Sequence, residues 1–246
     1  MEKTNFFNVA DYILDRNIRQ GRGHKTAIYT DKRCFTYNEI QEMANKTGNA
    51  LRNLGLGIDD RLMMLMFDEP QFYTVFFGAA KIGAVPIPVN TMLTSDDYEY
   101  LLNDSRAKAL AISEELVPLI SNIKGDLPYL RDMIIFTEDE AQVPFKHKVN
   151  NASSMLKVEY TTKDDVGFWL YSSPEGYGAF PLQPGVCFRE FCQWGFKAYR
   201  GRYLLLGSKA VFCLWHRKWY VLPPFGGSRC CFKPRPSNSR KYIQPP

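Results

Sequence analysis

Four short apolar runs limit the folds open to this chain. Arg61 to Phe67 (RLMMLMF), Ala109 to Ile112, Met133 to Phe136 and Val166 to Tyr171 (VGFWLY) are strand-length, and segments of helical spacing lie between the first three. A run as unbroken as RLMMLMF suits a strand whose two faces are both covered, because an alternating pattern would leave one face to water. Strands of this kind alternating with helices predict an α/β domain with a largely parallel, doubly wound sheet. In such sheets ligands bind beyond the carboxyl ends of the strands.

The helices between the runs are legible from their ends. Thr36 and Glu39 have the spacing of a capping box, and Ile40, Met43, Ala44, Thr47, Leu51 and Leu54 follow on one face before Gly55 stops the turn. Pro70 to Ile82 reads as a helix opened by a proline, which tolerates the first turn. Val85 to Val89 reads as a strand that Pro86 and Pro88 push to an edge or bend. Ser95 is placed to cap a helix carrying Tyr98, Leu101 and Leu102, and Leu116 to Ile123 is helical. Glu138 to Ser154 is polar and poorly periodic, and reads as a surface connection.

Nothing from Met1 to Val9 has the basic patch and apolar core of a secretory signal, and no apolar run approaches about 18 residues, so no membrane span is expected. A reduced, cytoplasmic protein is the simplest setting, with Cys34 a small apolar residue beside Phe35.

Charge divides the chain more sharply than its net value of +5 suggests. From Pro174 to Pro246 there are twelve Lys and Arg against two acids, Glu175 and Glu190; residues 1–173 hold nineteen basic and twenty-four acidic side chains. Cys187, Cys192, Cys213, Cys230 and Cys231 all follow the same boundary, as do Trp194, Trp215 and Trp219. A basic, aromatic tail invites a nucleic-acid reading, since clustered cations attract phosphates and indoles stack on bases. A zinc reading fails on spacing, because no two of these cysteines are separated by the two residues of a knuckle.

The residues before the boundary point elsewhere. Thr162 to Ser173 (TKDDVGFWLYSS) resembles the adenylate-forming acyl-CoA synthetases, in which an acidic turn leads into a strand ending in a Ser/Thr/Gly loop around the ATP phosphates. Lys25 to Tyr29 (KTAIY), Phe35 to Tyr37 (FTY) and, most specifically, Phe76 to Asn90 (FFGAAKIGAVPIPVN) are similar to the same family, and the combination favours its benzoate-CoA ligase branch. The resemblance implies an α/β fold, ATP, magnesium and coenzyme A as cofactors, and an aromatic carboxylic acid as substrate. It carries over Tyr171, Ser172 and Ser173 as the start of the ATP phosphate loop, and no catalytic or metal-ligating residue. The nucleic-acid reading is the weaker alternative beside it.

After Ser173 the likeness stops. The family continues with Gly-Ser-Thr-Gly and a Pro-Lys-Gly triplet; this chain continues with Pro174 and Glu175. Glycines let backbone approach phosphate, whereas a proline has no N–H to offer and a glutamate repels it. Read one nucleotide later, degenerate codons for Pro174 to Phe180 permit Pro-Lys-Gly-Met-Val-His, and those for Leu204 to Gly227 permit a string similar to the ligases' substrate-pocket segment. The expectation is therefore two parts: residues 1–173 as the N-terminal part of the synthetase domain, and residues 174–246 as an irregular, out-of-frame tail on a catalytically inactive chain. His24 and His147 read as solvated, Met63, Met64 and Met66 as core filling, and Asp164 and Asp165 as turn carboxylates.

Overall fold

The computed structural model describes residues 6–30, 32–123, 125–137 and 144–171, with the backbone of residues 186–187. The expected irregular tail lies outside these residues, apart from that last pair. β3 (Arg61–Leu65), β4 (Val85–Pro88), β5 (Ala109–Ser113) and β6 (Asp132–Phe136) form a parallel sheet in the order β4-β3-β5-β6. Met63 stands opposite Ile87 on one side and Leu110 on the other, and Leu110 opposite Met133.

Alternation along β3 explains its unbroken apolarity. Leu62, Met64 and Met66 enter one core with α1 (Tyr37–Asn53) and α2 (Pro70–Lys81); Met63 and Leu65 enter a second core with Tyr98, Leu101 and Leu102 of α3 (Ser95–Ser105). Both faces are buried, so the period-2 pattern carries apolar residues at every position. The three methionines are core filling, as expected, none more than 1% exposed.

The prolines of β4 are accommodated by the same geometry. Val85 and Val89 donate their N–H groups toward β3, to Asp60 O (2.8 Å) and Met64 O (3.1 Å). Pro86 and Pro88 alternate with them and fall on the outer side, where this ladder asks for no donor.

α1 begins at the predicted capping box. Thr36 Oγ1 accepts from the Glu39 N–H (3.3 Å), and Glu39 Oε2 accepts from the Thr36 N–H (2.7 Å). That return bond lowers the Glu39 pKa. Thr36→Ala is expected to cost about 1 kcal/mol in chemical denaturation at neutral pH. The difference from wild type should shrink on acidification through the lowered Glu39 pKa, because protonation there removes the carboxylate's share of the box in wild type.

α1 and α2 cross at two glycines. A Cβ on Gly78 would lie 2.9 Å from both Ala44 O and Gly48 N, and one on Gly48 would lie 2.8 Å from Gly78 O. The backbones touch, so the helices bring their flanking apolar residues into one core.

Several expectations are corrected. The cap of α3 is Thr94, one residue earlier than Ser95, in a second capping box with Asp97. Leu116 to Ile123 is shorter than a full helix, a 3-10 turn at Glu114–Leu116 followed by α4 (Val117–Ser121) with Pro118 in its first turn. The polar connection contains α5 (Pro144–Asn150), which buries Phe145 against Phe136 at 5.8 Å between ring centroids. Phe145 and the half-buried Val149, four residues apart, seat a short helix that has too few apolar positions to show periodicity. Cys34 is exposed. It lies in a hairpin of β1 (Thr26–Tyr29) and β2 (Cys34–Thr36), while its neighbour Phe35 turns inward. Before the hairpin, π-type turns at Asp11–Asp15 and Ile18–Arg22 add Ile13 and Leu14 to the core. No helix among the described residues is long and apolar enough to cross a membrane.

Candidate functional site

The expected loop leaves the end of β7 (Val166–Phe168) and its extended continuation to Tyr171. The turn before it is fastened by its own side chains. The Thr162 N–H donates to Asp165 Oδ2 (2.7 Å) and the Asp164 N–H to Thr162 Oγ1 (3.3 Å), so the Asp165 carboxylate serves the turn and both acids are exposed. Val166 and Gly167 lie with Gly83 and Ala84 around one small cleft, and the Trp169 N–H donates to Pro86 O (3.0 Å). The strand thus climbs beside β4 in the same sense, and its end is delivered to the carboxyl edge of the sheet. On its other side β7 pairs with the short strand β8 (Val186–Cys187).

Side chains alternate along this strand between the two cores. Phe168 meets Phe76 in the first core at 5.9 Å, with Leu170 on the same side. Trp169 and Tyr171 join the second core, their rings stacked at 5.8 Å. Tyr171 is buried, and its hydroxyl donates to Asp104 Oδ2 at 2.8 Å. Burial, and then the Asp104 carboxylate, push the Tyr171 hydroxyl far above the usual phenol range, so it remains a donor.

Of the three residues expected at the loop, the structure places Tyr171 with its side chain committed to the core and only its backbone facing onward. Ser172 and Ser173 lie outside the described residues. His24 is exposed, and the His147 side chain is likewise outside the description.

The profile of AMP-binding enzymes matches residues 14–173. The chain belongs to the AMP-binding enzyme family. Within it, the benzoate–CoA ligase of Thauera aromatica is 39% identical over 168 residues, which is 68% of this chain and 32% of that enzyme. A 3-hydroxybenzoate–CoA/4-hydroxybenzoate–CoA ligase of the same organism is 36% identical over 170 residues, again 68% and 32%. Among solved structures, the anthranilate CoA ligase AuaEII in complex with anthranoyl-AMP superposes with a TM-score of 0.66 at 32% identity, covering 73% of this chain and 34% of that one. A benzoate CoA ligase from Burkholderia xenovorans LB400 gives 0.63 at 29% identity, covering 78% and 37%. The chain therefore spans about a third of the length of the curated relatives it matches.

For an AMP-binding enzyme, the described residues offer little direct phosphate or metal chemistry. They bring together no group of three His, Cys, Asp or Glu side chains that could hold a metal ion. Lys81, to which the sequence reading gives no role, is 1% exposed and spends its ammonium on the protein. Nζ donates to Asp15 Oδ1 and to Asn45 Oδ1, both at 2.7 Å. Burial lowers the Lys81 pKa, and Asp15 opposes that shift. Gln41 Nε2 also donates to Asp15 Oδ1 (2.8 Å), and Asn45 Nδ2 to Ser154 O (2.8 Å), so the network ties the N-terminal turn, α1, α2 and the returning chain together. The only sequence signal for it is a lysine inside the apolar stretch FFGAAKIGAV.

Proposed function

We propose that residues 1–173 are the N-terminal part of an ATP-dependent aromatic carboxylate–CoA ligase, and that this chain does not itself catalyse the reaction. In that reaction the acid's carboxylate oxygen attacks the α-phosphorus of ATP, pyrophosphate leaves, and an acyl-adenylate forms. The thiol of coenzyme A then attacks the acyl carbon and AMP departs, giving the thioester. Magnesium, bound to the nucleotide, would offset charge on the phosphates. The aromatic class of acid rests on the benzoate, hydroxybenzoate and anthranilate ligases to which the chain is similar.

One observation carries the inactivity: Pro174 and Glu175 follow Ser173, where phosphate needs small residues with free N–H groups. Losing one N–H donor to a charged oxygen costs about 1.5–3 kcal/mol. A carboxylate within such a loop repels a phosphate charge instead of donating to it. Loss of one such donor alone weakens nucleotide binding by a factor of about ten or more, and the repulsion adds to it. The donor set after Ser173 does not fit the phosphates of ATP.

The family match ending at Ser173, and the change of charge and cysteine content just after it, support a change of reading frame at that point, with residues 174–246 as its product. The test is to sequence the gene through the codon for Ser173 and assay the frame-restored product. Thioester and AMP formation with benzoate or hydroxybenzoates is expected; preference for a fatty acid, or no synthetase frame downstream, would overturn the reading.

A further inference from the structure

At the carboxyl end of β6 the first core opens into a cavity of about 260 Å³. Its walls come from α1 (Met43, Lys46), α2 (Gln71), the end of β6 (Phe136) and α5 (Phe145, Val149), all among the described residues. Met43, Phe136 and Val149 pack against the core yet stay only half-buried. The Phe136 and Phe145 rings meet edge to face, their planes at 67°. In the sheet order β4-β3-β5-β6 this end lies three strand spacings, about 14 Å, from β4, so the cavity is separate from the end of β7 that climbs beside β4. Carboxyl ends of strands are where sheets of this kind receive ligands.

Size, wall chemistry and one polar atom define what would fill it. An apolar cavity of about 150 Å³ holds benzene, so this one has room for a fused or substituted ring. Two phenyl rings and the Met43 thioether suit a flat π-system. Gln71 Oε1 is buried and accepts from no donor among the described residues. A buried acceptor left unpaired is costly, and an N–H or O–H on the occupant would relieve that cost. The nearby polar groups are already engaged: Lys46 Nζ pairs with Glu42 Oε1 at 2.8 Å, and Thr74 Oγ1 donates to Gln71 O at 2.9 Å. No cation is therefore spare here to hold an anion.

We propose that this cavity binds a small uncharged aromatic molecule, held by its ring faces and by one N–H or O–H donated to Gln71 Oε1. The site stands apart from the ligase reading, whose substrate is an aromatic carboxylate.

The test titrates the full chain with indole, a fused ring carrying a single N–H, while the methyl resonances of Met43, Ile135 and Val149 are followed by nuclear magnetic resonance. Indole is expected to saturate with a Kd of about 0.1–1 mM and to move these methyls most. Benzothiophene has the same shape and no donor. The ratio of indole to benzothiophene affinity should fall about three- to tenfold in Gln71→Leu, the worth of one hydrogen bond. Val149→Phe, which fills the cavity, should weaken both ligands about tenfold or more. Unshifted Met63 and Met64 methyls in β3 verify that each variant is folded, and should Val149→Phe fail that check, the Gln71→Leu ratio decides alone. Absence of saturable indole binding, shifts centred on other methyls, an unchanged ratio in Gln71→Leu, or benzoate binding here more tightly than indole would each overturn the assignment.

Discussion

Lys81→Met is expected to remove about 3–5 kcal/mol of stability, enough to unfold much of the population of a domain whose total is about 5–15 kcal/mol. The ammonium is fully buried, and its removal strands the Asp15 carboxylate, whose side chain is 9% exposed, with Gln41 as its remaining side-chain donor. A lone buried charge costs far more than a paired one. Asn45 Oδ1 loses its donor in the same substitution. The pair itself need contribute little, because desolvation of both ions offsets their attraction. The double variant Asp15→Leu/Lys81→Met should therefore be more stable than Lys81→Met alone, even though it carries one substitution more. Urea denaturation followed by circular dichroism measures both. A double variant less stable than either single one would show that the network matters through its geometry and not through the stranded charge.

Gly78→Leu is expected to be comparably damaging for a different reason. The first side-chain atom would meet Ala44 O and Gly48 N at 2.9 Å, and both are backbone atoms of α1 that cannot rotate aside. The helices must separate, which opens the core around Phe76, Phe77 and Leu51. Overpacking of this kind costs about 3 kcal/mol or more for a large side chain. Gly78→Ala should cost about 1–2 kcal/mol, since a clash of up to about 3 kcal/mol is offset by alanine's roughly 1 kcal/mol better helix propensity. Gly57→Ala is the control: its Cβ meets nothing within 4 Å, and thermal unfolding should barely move.

Much of this fold is readable without coordinates because local signals and the global arrangement agree. Thr36 and Glu39 have capping-box spacing just ahead of an apolar stripe at helical period, and RLMMLMF has no polar side to offer water, so the capped helix and the doubly covered strand follow from sequence. The Gly48–Gly78 contact is not readable in this way. A glycine in a helix looks like a defect until the partner helix is known to press on it. The Lys81 network fails for a similar reason: Asp15, Gln41, Asn45 and Lys81 come from three segments, and only the tertiary fold makes them neighbours. The short hairpin at Thr26–Thr36 has strands too brief for alternation to register.

At the candidate site the division of labour among the expected loop residues is not legible in the sequence. Tyr171, Ser172 and Ser173 are equivalent in sequence as residues opening a loop. Only the strand's alternation reveals that the Tyr171 ring belongs to the core and that its hydroxyl is tied to Asp104.

The central claim is that the chain keeps the family's fold up to Tyr171 and loses the ability to hold nucleotide just beyond it. Titrating the purified full-length chain with Mg-ATP in a calorimeter tests this most directly. The account predicts no saturable heat up to millimolar nucleotide. A saturable isotherm with micromolar affinity, abolished by substitutions at Ser172 and Ser173, would contradict it.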